Sequence, residues 1–146
     1  MIEFRDVYNI EEAADILYLL LEERPPEANI SHSVMPTYEE HLEFFYSRKY
    51  WVWFLIFNDD TCIGTINVTK RNEVGIQLFR SQHGRGYGRV ALQKLIAEIH
   101  PRPAEPGERV GHFIANISPD NKSSIYLFEH IGFEHIQNTY EMKNEP

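Results

Sequence analysis

The first part of the chain changes from a strand-like to a helix-like spacing of apolar residues. The segment from Ile2 to Tyr8 predicts a short strand, and Asn9 after it is a residue type that caps helices. Pro25 and Pro26 end the predicted helix, and a polar loop without a regular period runs from Glu27 to Pro36. The helix is amphipathic, with apolar positions that recur every three to four residues at Ala13, Ile16, Leu17, Leu20 and Leu21.

A second helix is predicted after this loop. Thr37 followed by Glu40 has the spacing of a capping box, in which each side chain accepts a hydrogen bond from the backbone of the other. Leu42, Phe45 and Tyr46 follow at helical spacing, and we expect them to form a largely buried stripe.

Three strands are predicted next. The segments Trp51 to Phe57 and Cys62 to Thr69 are rich in β-branched and aromatic residues and are joined by the turn Asn58 to Asp60, which indicates a hairpin. A further strand is expected from Glu73 to Phe79. Alternation along a strand places aromatic residues on both faces of a buried sheet, so we interpret this cluster as core rather than as a base-stacking surface: Trp51, Trp53, Phe54 and Phe57.

The glycine-rich stretch His83 to Gly88 precedes a third amphipathic helix, which ends at Pro101. The segment from Pro101 to Gly107 contains three prolines and a glycine, which predicts a loop. The apolar residues of the helix that we expect to face inward are Val90, Ala91, Leu92, Leu95, Ile96 and Ile99.

The last part of the chain predicts a buried strand at Val110 to Ile117, a helix at Lys122 to Ile131 and a terminal strand at Phe133 to Met142. Gly132 suits the left-handed position that ends a helix. The predicted order is βααβββαβαβ without an internal repeat, so we expect residues 1–146 to form one α/β domain with a mixed sheet flanked by helices.

Composition and charge narrow the function. The formal net charge of −8 opposes binding to nucleic acid and favours a cationic or neutral acceptor. The single cysteine, Cys62, cannot form an internal disulfide, and neither a signal sequence nor a long apolar run is present, so we expect a cytoplasmic protein without a membrane partner. No two of the 7 histidines have the spacing that would place two ligands on one helical face, so no structural metal is predicted.

The segment His83 to Gly88, of sequence HGRGYG, is the strongest functional motif. Glycines between a strand and a helix let the backbone approach a ligand closely, and free N–H groups at a helix N-terminus bind phosphate. The stretch is not a Walker loop, because no Lys-Ser or Lys-Thr follows, and its glycine spacing differs from the dinucleotide fingerprint. Alternating glycines also serve as tight strand-to-helix turns, so the phosphate interpretation depends on the flanking elements.

This stretch resembles motif A of the GNAT superfamily of N-acetyltransferases, Q/R-x-x-G-x-G/A, with His83, Gly86 and Gly88 at the defined positions. His83 departs from the usual Gln or Arg. A second segment, from Asn121 to Phe133, is similar to the family's N-x-x-x-x-x-x-Y/F-x-x-x-G-F ending. The order of predicted elements resembles the family over nearly the whole chain.

The resemblance implies a mixed, mostly antiparallel sheet flanked by about four helices, with splayed strands at the cofactor site. It implies acetyl-CoA as cofactor, its pantetheine hydrogen-bonded to backbone near Gln77, Leu78 and Phe79. Asn121 and Phe128 are further candidates for cofactor contacts, although Asn121 is equally suited to cap the last helix. The residues implied to bind the pyrophosphate are His83, Gly84, Arg85, Gly86, Tyr87 and Gly88.

Similar enzymes use a tyrosine to protonate the leaving thiolate, and here that position is Phe128. Tyr126 is the nearest hydroxyl, but a separation of two residues turns it about 200° around a helix. Glu73 is the candidate base that accepts the proton of the amine, and His112 is a second candidate; a solvated carboxylate and a half-buried histidine are the structural alternatives. Cys62 has no sequence-local basic partner and is a poor nucleophile candidate.

The sequence therefore favours an enzyme that moves an acetyl group from acetyl-CoA to a primary amine of a small molecule, such as an amino sugar or polyamine, by direct attack. The alternatives are acetylation of protein N-termini or lysines, a catalytically silent CoA-binding module, and a module that binds another nucleotide at the glycine turn. The segment from Tyr38 to Phe45 resembles the second helix of several GNAT classes and does not choose between them. A monomer and a homodimer are both compatible with the sequence.

Overall fold

The computed structural model describes residues 1–25, 34–107 and 111–143. Most of the loop predicted at Glu27–Pro36, and Val110 of a predicted strand, lie outside the described residues. The sheet is antiparallel with the order β1-β2-β3-β4, formed by Ile2–Asp6, Tyr50–Asn58, Thr61–Thr69 and Val74–Leu78. The helices are α1 Ala13–Glu23, α2 Tyr38–Ser47, α3 Tyr87–Glu98 and α4 Lys122–Ile131, with 3₁₀ turns at Val7–Asn9 and Arg80–Gln82.

Local sequence signals account for several element boundaries. Thr37 Oγ1 accepts a hydrogen bond from the N–H of Glu40 at 3.1 Å, and Glu40 Oε1 accepts one from the N–H of Thr37 at 2.9 Å, which confirms the predicted capping box. The β2–β3 hairpin turns at Asp59, whose φ of 55° is in the left-handed region that Asp tolerates. Gly132 ends α4 with a φ of 119°, as predicted.

Helices cover both faces of the sheet, and the side chains of β2 alternate between two cores. On one face, Leu55 packs with α1 and α2, and on the other, Ile56 packs with α3 and α4. Trp53 and Phe57 are buried, and Trp51 and Phe54 are half-buried against the second core, so the aromatic cluster is core as predicted. The predicted fold class, α/β with a mostly antiparallel sheet flanked by about four helices, is confirmed: in the described residues all four strands pair antiparallel, and the isolated bridge of Glu73 with Ile114 is parallel.

Two boundary and burial predictions in the helices are wrong. Asn9 does not cap α1, because it lies in the 3₁₀ turn Val7–Asn9 and α1 begins only at Ala13. Tyr46, Val90 and Ile96 are 69%, 46% and 39% exposed, respectively, rather than buried. A helix buries only the stripe that faces its neighbours, and an apolar residue at the edge of that stripe extends into solvent.

The two strands predicted late in the chain are also wrong as regular strands. From 111 to 117 the only pairing is an isolated parallel bridge between Ile114 and Glu73. The described residues from 133 to 143 form no strand. Alternation of apolar and polar residues indicates that a segment is suited to a strand. A strand must also pair with the edge of another strand, and the alternation does not predict that edge.

Candidate active site

The outer edge of β4 is the central feature of the site. The N–H of Val74 donates to the C=O of Ile114 at 2.8 Å, on the side away from β3. In an antiparallel strand the N–H and C=O of one residue point to the same side, and every second residue points to that side. The backbone groups of Ile76 and Leu78 therefore face away from β3, as those of Val74 do. Beyond Val74, none of the described segments pairs with this edge. The edge therefore presents unpaired backbone groups along a gap between β4 and the segment that follows Ile114.

Leu78 is thus placed where the family resemblance implies a cofactor contact. Its N–H faces the gap, whereas its C=O accepts a hydrogen bond from Nε2 of His83 at 3.1 Å. Ile76, which the sequence analysis did not select, faces the gap in the same way. The sequence predicts that alternate residues of a strand face opposite edges. Which of the two sets faces the gap depends on how β3 and β4 pair.

Gln77 and Phe79 are differently placed from Leu78. The N–H of Phe79 donates to the C=O of Ile63 at 2.9 Å, within the sheet, and the backbone of Gln77 faces β3 in the same way. The side-chain amide of Gln77 instead donates to the C=O of Leu20 in the last turn of α1, at 2.5 Å. Gln77 therefore links β4 to α1, and its backbone and that of Phe79 are already used within the fold.

The glycine turn follows at the C-terminal end of β4. Gly84 and Gly86 have φ values of 76° and 81°, and no atom lies within 4 Å of where a Cβ of either residue would stand. Gly86 is the N-cap of α3, and the first helical hydrogen bond runs from the N–H of Val90 to its C=O, at 3.3 Å. The N–H groups of the first turn, from Tyr87 to Arg89, therefore have no helical acceptor and lie at the N-terminus of a 12-residue helix, where an anion is favoured.

The other residues of this turn have distinct surroundings. A Cβ on Gly88 would lie 3.3 Å from the Leu127 side chain, so this glycine permits α3 and α4 to pack closely. The Tyr87 hydroxyl accepts a hydrogen bond from Asn58 Nδ2 at 3.0 Å, which directs it towards the end of β2. Arg85 is exposed, and within the described ranges its guanidinium has no ion-pair partner. Its positive charge is therefore available to a phosphate.

Glu73 lies at the opposite end of β4 from the glycine turn. Its Oε1 accepts a hydrogen bond from Thr69 Oγ1 at 2.9 Å, and its Oε2 accepts one from Asn116 Nδ2 at 2.7 Å. Asn116 belongs to the segment that leaves β4 after Ile114, so the carboxylate lies at the closed end of the gap. Both contacts fix the orientation of a half-buried carboxylate that is still accessible from a cleft.

This cleft has a volume of about 330 Å³ and is formed beside the β3–β4 turn. Glu73, Ile114, Asn116, Pro103 and Gly107 are among the residues that line it. His112, the second candidate base, is exposed and does not line the cleft or hydrogen-bond to Glu73. Of the two candidate bases, the structure brings only Glu73 to both the gap and the cleft.

The α4 residues have mainly structural contacts. Asn121 accepts a hydrogen bond from the N–H of Ser124 at 3.3 Å and so caps α4. Phe128 is only 4% exposed, and its ring lies 5.0 Å from that of Phe133. Tyr126 is 65% exposed, and its ring contacts that of His130 in a tilted arrangement, so it lies outside the core that Phe128 enters. These contacts leave the site without a tyrosine at the position of the family's general acid.

Cys62 is half-buried, and burial raises the pKa of its thiol above the ordinary value. Its Sγ–H points to the C=O of Gly64 at 3.7 Å. A thiol that stays protonated is a weak nucleophile, which agrees with the assessment from sequence.

Within 1–25, 34–107 and 111–143, no group of three or more His, Cys, Asp and Glu side chains is arranged to hold a metal ion. No helix in these ranges is long and apolar enough to span a bilayer.

Solved structures share this architecture. The chain is similar to an acetyltransferase from Thermus thermophilus, with a TM-score of 0.69, 18% identity, and coverage of 94% of this chain and 90% of the other. Spermidine N-acetyltransferase from Vibrio cholerae, solved with CoA and spermine, gives a TM-score of 0.71 at 14% identity, covering 93% and 82%. Ribosomal-protein-alanine N-acetyltransferase from Brucella melitensis gives 0.64 at 19% identity, covering 94% and 86%.

These likenesses show the fold, and a comparison of sequences shows the family. None of the curated proteins matches the chain. The family model for the acetyltransferase (GNAT) domain matches residues 5–134, which is most of the chain and includes β4, the glycine turn and α4. The resemblance found in the two sequence motifs is confirmed, and the chain belongs to the GNAT family of acetyltransferases.

Proposed function

We propose that this protein transfers the acetyl group of acetyl-CoA to a primary amine of a small molecule, by direct attack of the amine. One observation carries the proposal: an unpaired β4 edge leads from an oriented carboxylate, Glu73, to a glycine turn at the N-terminus of α3. Acetyl transfer requires that a long cofactor binds along the site and that a base removes a proton from the amine. The β4 edge and the glycine turn are suited to the first task, and Glu73 is suited to the second.

The residues present fit coenzyme A. The N–H groups from Tyr87 to Arg89 and the Arg85 guanidinium would bind the pyrophosphate, because an anion is favoured at a helix N-terminus. The outward backbone groups of Ile76 and the N–H of Leu78 would hydrogen-bond to the amide groups of pantetheine, as an added strand would. When bound, the cofactor supplies an activated acetyl thioester. Cofactor roles for Asn121 and Phe128 stay predictions.

Glu73 is the base in this proposal. An amine with a pKa near 10 is mostly protonated at neutral pH and must lose a proton before it can attack a carbonyl carbon. The Glu73 carboxylate accepts that proton directly or through one water, while Thr69 and Asn116 hold its two oxygens. Since Phe128 has no hydroxyl, the departing thiolate takes its proton from water.

The cleft beside Glu73 supports a small acceptor rather than an extended peptide. Its volume of about 330 Å³ is at the lower end of the range for small-molecule sites. The neighbouring folds do not decide this question, because one acts on spermidine and another on a ribosomal protein. We further propose that residues 1–146 form one domain and that the protein works in the cytoplasm, where a single cysteine stays reduced.

A turnover assay tests the proposal. Thiol release from acetyl-CoA is measured with amino sugars, polyamines, amino acids and a peptide with a free N-terminus as acceptors. We expect release with at least one small amine and little with the peptide. Faster release with the peptide would support protein acetylation instead, and CoA binding without release from any acceptor would support a silent module.

A further inference from the structure

The cleft beside Glu73 contains charges of both signs. Lys70 and Arg71, from the β3–β4 turn, line it together with Glu73. Asn116 contributes an amide next to that carboxylate. The chain as a whole has a net charge of −8, whereas the described residues that line this cleft include two cations and one carboxylate.

The turn that carries these cations is held in place. Asn72 has a φ of 66° and is only 5% exposed. Its Nδ2 donates to the C=O of Arg102 at 2.9 Å, and its Oδ1 accepts from the N–H of Arg102 at 2.8 Å. This paired contact fixes the β3–β4 turn against the segment that follows α3. Lys70 and Arg71 are therefore presented from a rigid support.

Lys70 is not used by another ion pair in the described part of the chain. Its side chain is exposed and lines the cleft, and among residues 1–25, 34–107 and 111–143 its contact is at the backbone, where the C=O accepts a hydrogen bond from Arg102 Nη1 at 3.4 Å. An ammonium group that lines a cleft without an internal carboxylate partner attracts an anionic group of a ligand. Lys70 and Glu73 are three residues apart across one turn, so a single compact molecule can meet both.

We propose that the acceptor is an amine that also carries an anionic group, a carboxylate or a phosphate. The amine nitrogen lies at Glu73 and the anion lies at Lys70 and Arg71. This assignment rests on the proposed function and narrows it. The cleft disfavours a polycation, because any second ammonium would approach two like charges. The net charge of the chain alone favours a cationic or neutral acceptor. The cations that line the cleft favour instead an acceptor with an anionic group beside its amine.

Matched pairs of amines test the proposal. Glucosamine 6-phosphate is compared with glucosamine, and an α-amino acid is compared with its amide, so that each pair differs in one anionic group. For each compound, binding to the CoA-loaded protein is measured by calorimetry, and acetyl transfer is measured as kcat/KM from thiol release. The two pairs separate phosphate from carboxylate. We expect the anionic member of at least one pair to bind about five- to tenfold more tightly, with a preference that falls as salt is added.

Variants connect the preference to the cleft. Lys70→Gln should reduce the preference by about threefold or more, and Lys70→Gln combined with Arg71→Gln should abolish it. Lys49→Gln is the matched control, since it removes the same charge from an exposed lysine between α2 and β2 that does not line the cleft. Tm values of all variants establish that each is folded.

The outcomes separate this proposal from the proposed function. Equal binding of both members in both pairs, binding of none of the four compounds, or an unchanged preference in the double variant would overturn the anionic assignment. Acetylation of the neutral members at equal rates would overturn it while leaving the acetyltransferase proposal standing. Selective binding of the anionic members without any thiol release would support the cleft assignment and contradict the proposed function.

Discussion

Replacing Gly86 with alanine separates the two roles that the glycine turn can have. At the φ of 81° found here, an L-residue is strained by about 1–2 kcal/mol, and no atom within 4 Å adds a further clash. We therefore expect the variant to fold, with a Tm lower by roughly 2–8 °C for a chain of this size. The new methyl group would stand in the open space ahead of α3, where a pyrophosphate must approach the free N–H groups. Losing one or more charge-assisted hydrogen bonds there, at roughly 1.5–3 kcal/mol each, should weaken CoA binding by about ten- to 150-fold.

Gly107→Ala is the matched control for backbone strain. Gly107 has a φ of 84° and likewise no atom within 4 Å of its Cβ position, but it lies in the cleft beside Glu73, away from the glycine turn. The dissociation constant of CoA is measured by calorimetry, and Tm is measured with and without CoA. Gly107→Ala should lose similar stability and keep wild-type affinity for CoA. Unchanged affinity in folded Gly86→Ala, or an equal loss in Gly107→Ala, would refute the assignment of the phosphate to this turn.

Four other variants or treatments test the chemistry. Glu73→Gln should lower the single-turnover rate at neutral pH by roughly 10²–10⁴-fold, with CoA affinity unchanged, because solvent must then remove the proton of the amine; a wild-type rate would exclude Glu73 as the base. His112→Ala should change that rate by less than about threefold, because His112 is outside the cleft, and a larger loss would restore it as a candidate. Tyr126→Phe should keep the single-turnover rate within about tenfold, whereas a hundredfold loss with normal CoA binding would identify Tyr126 as the acid. Because burial raises the pKa of Cys62, iodoacetamide should react with it only at a higher pH than with a free thiol, and Cys62→Ala should keep its activity; rapid alkylation at neutral pH or loss of transfer would favour an acyl-enzyme.

Local sequence signals predicted the elements whose ends are set by local chemistry. Three local features set the ends of elements: the capping box at Thr37, the turn at Asp59 and the left-handed Gly132. In each, the interacting groups lie within a few residues of one another, so a short stretch of sequence predicts the feature. The glycine turn belongs to the same class, because its dihedral angles and the helix after it are both local properties. The family resemblance of the glycine turn and of the segment Asn121 to Phe133 is confirmed by the match of the family model.

Features that depend on contacts between segments far apart in the chain could not be predicted from local sequence. Ile76 rather than Gln77 faces the gap because of the register between β3 and β4, which no local pattern specifies. The contact of Asn116 with Glu73 joins residues 43 positions apart, and it is this contact that places the carboxylate at the end of the gap. The strands expected at Val110–Ile117 and Phe133–Met142 were wrong for the same reason: of the first, the described residues meet β4 only at the bridge of Ile114 with Glu73, and those of the second form no strand.

The central claim is that the outer edge of β4 and the first turn of α3 bind the cofactor, and backbone amide shifts on titration with CoA test it most directly. At 17.2 kDa the chain is suitable for amide-resolved NMR. We predict that the largest shifts occur at Ile76, Leu78, Tyr87 and Gly88, with smaller shifts at Gln77 and Phe79, whose N–H groups face β3. Shifts of equal size along all of β4, or the largest shifts at residues outside β4 and the glycine turn, would contradict the account.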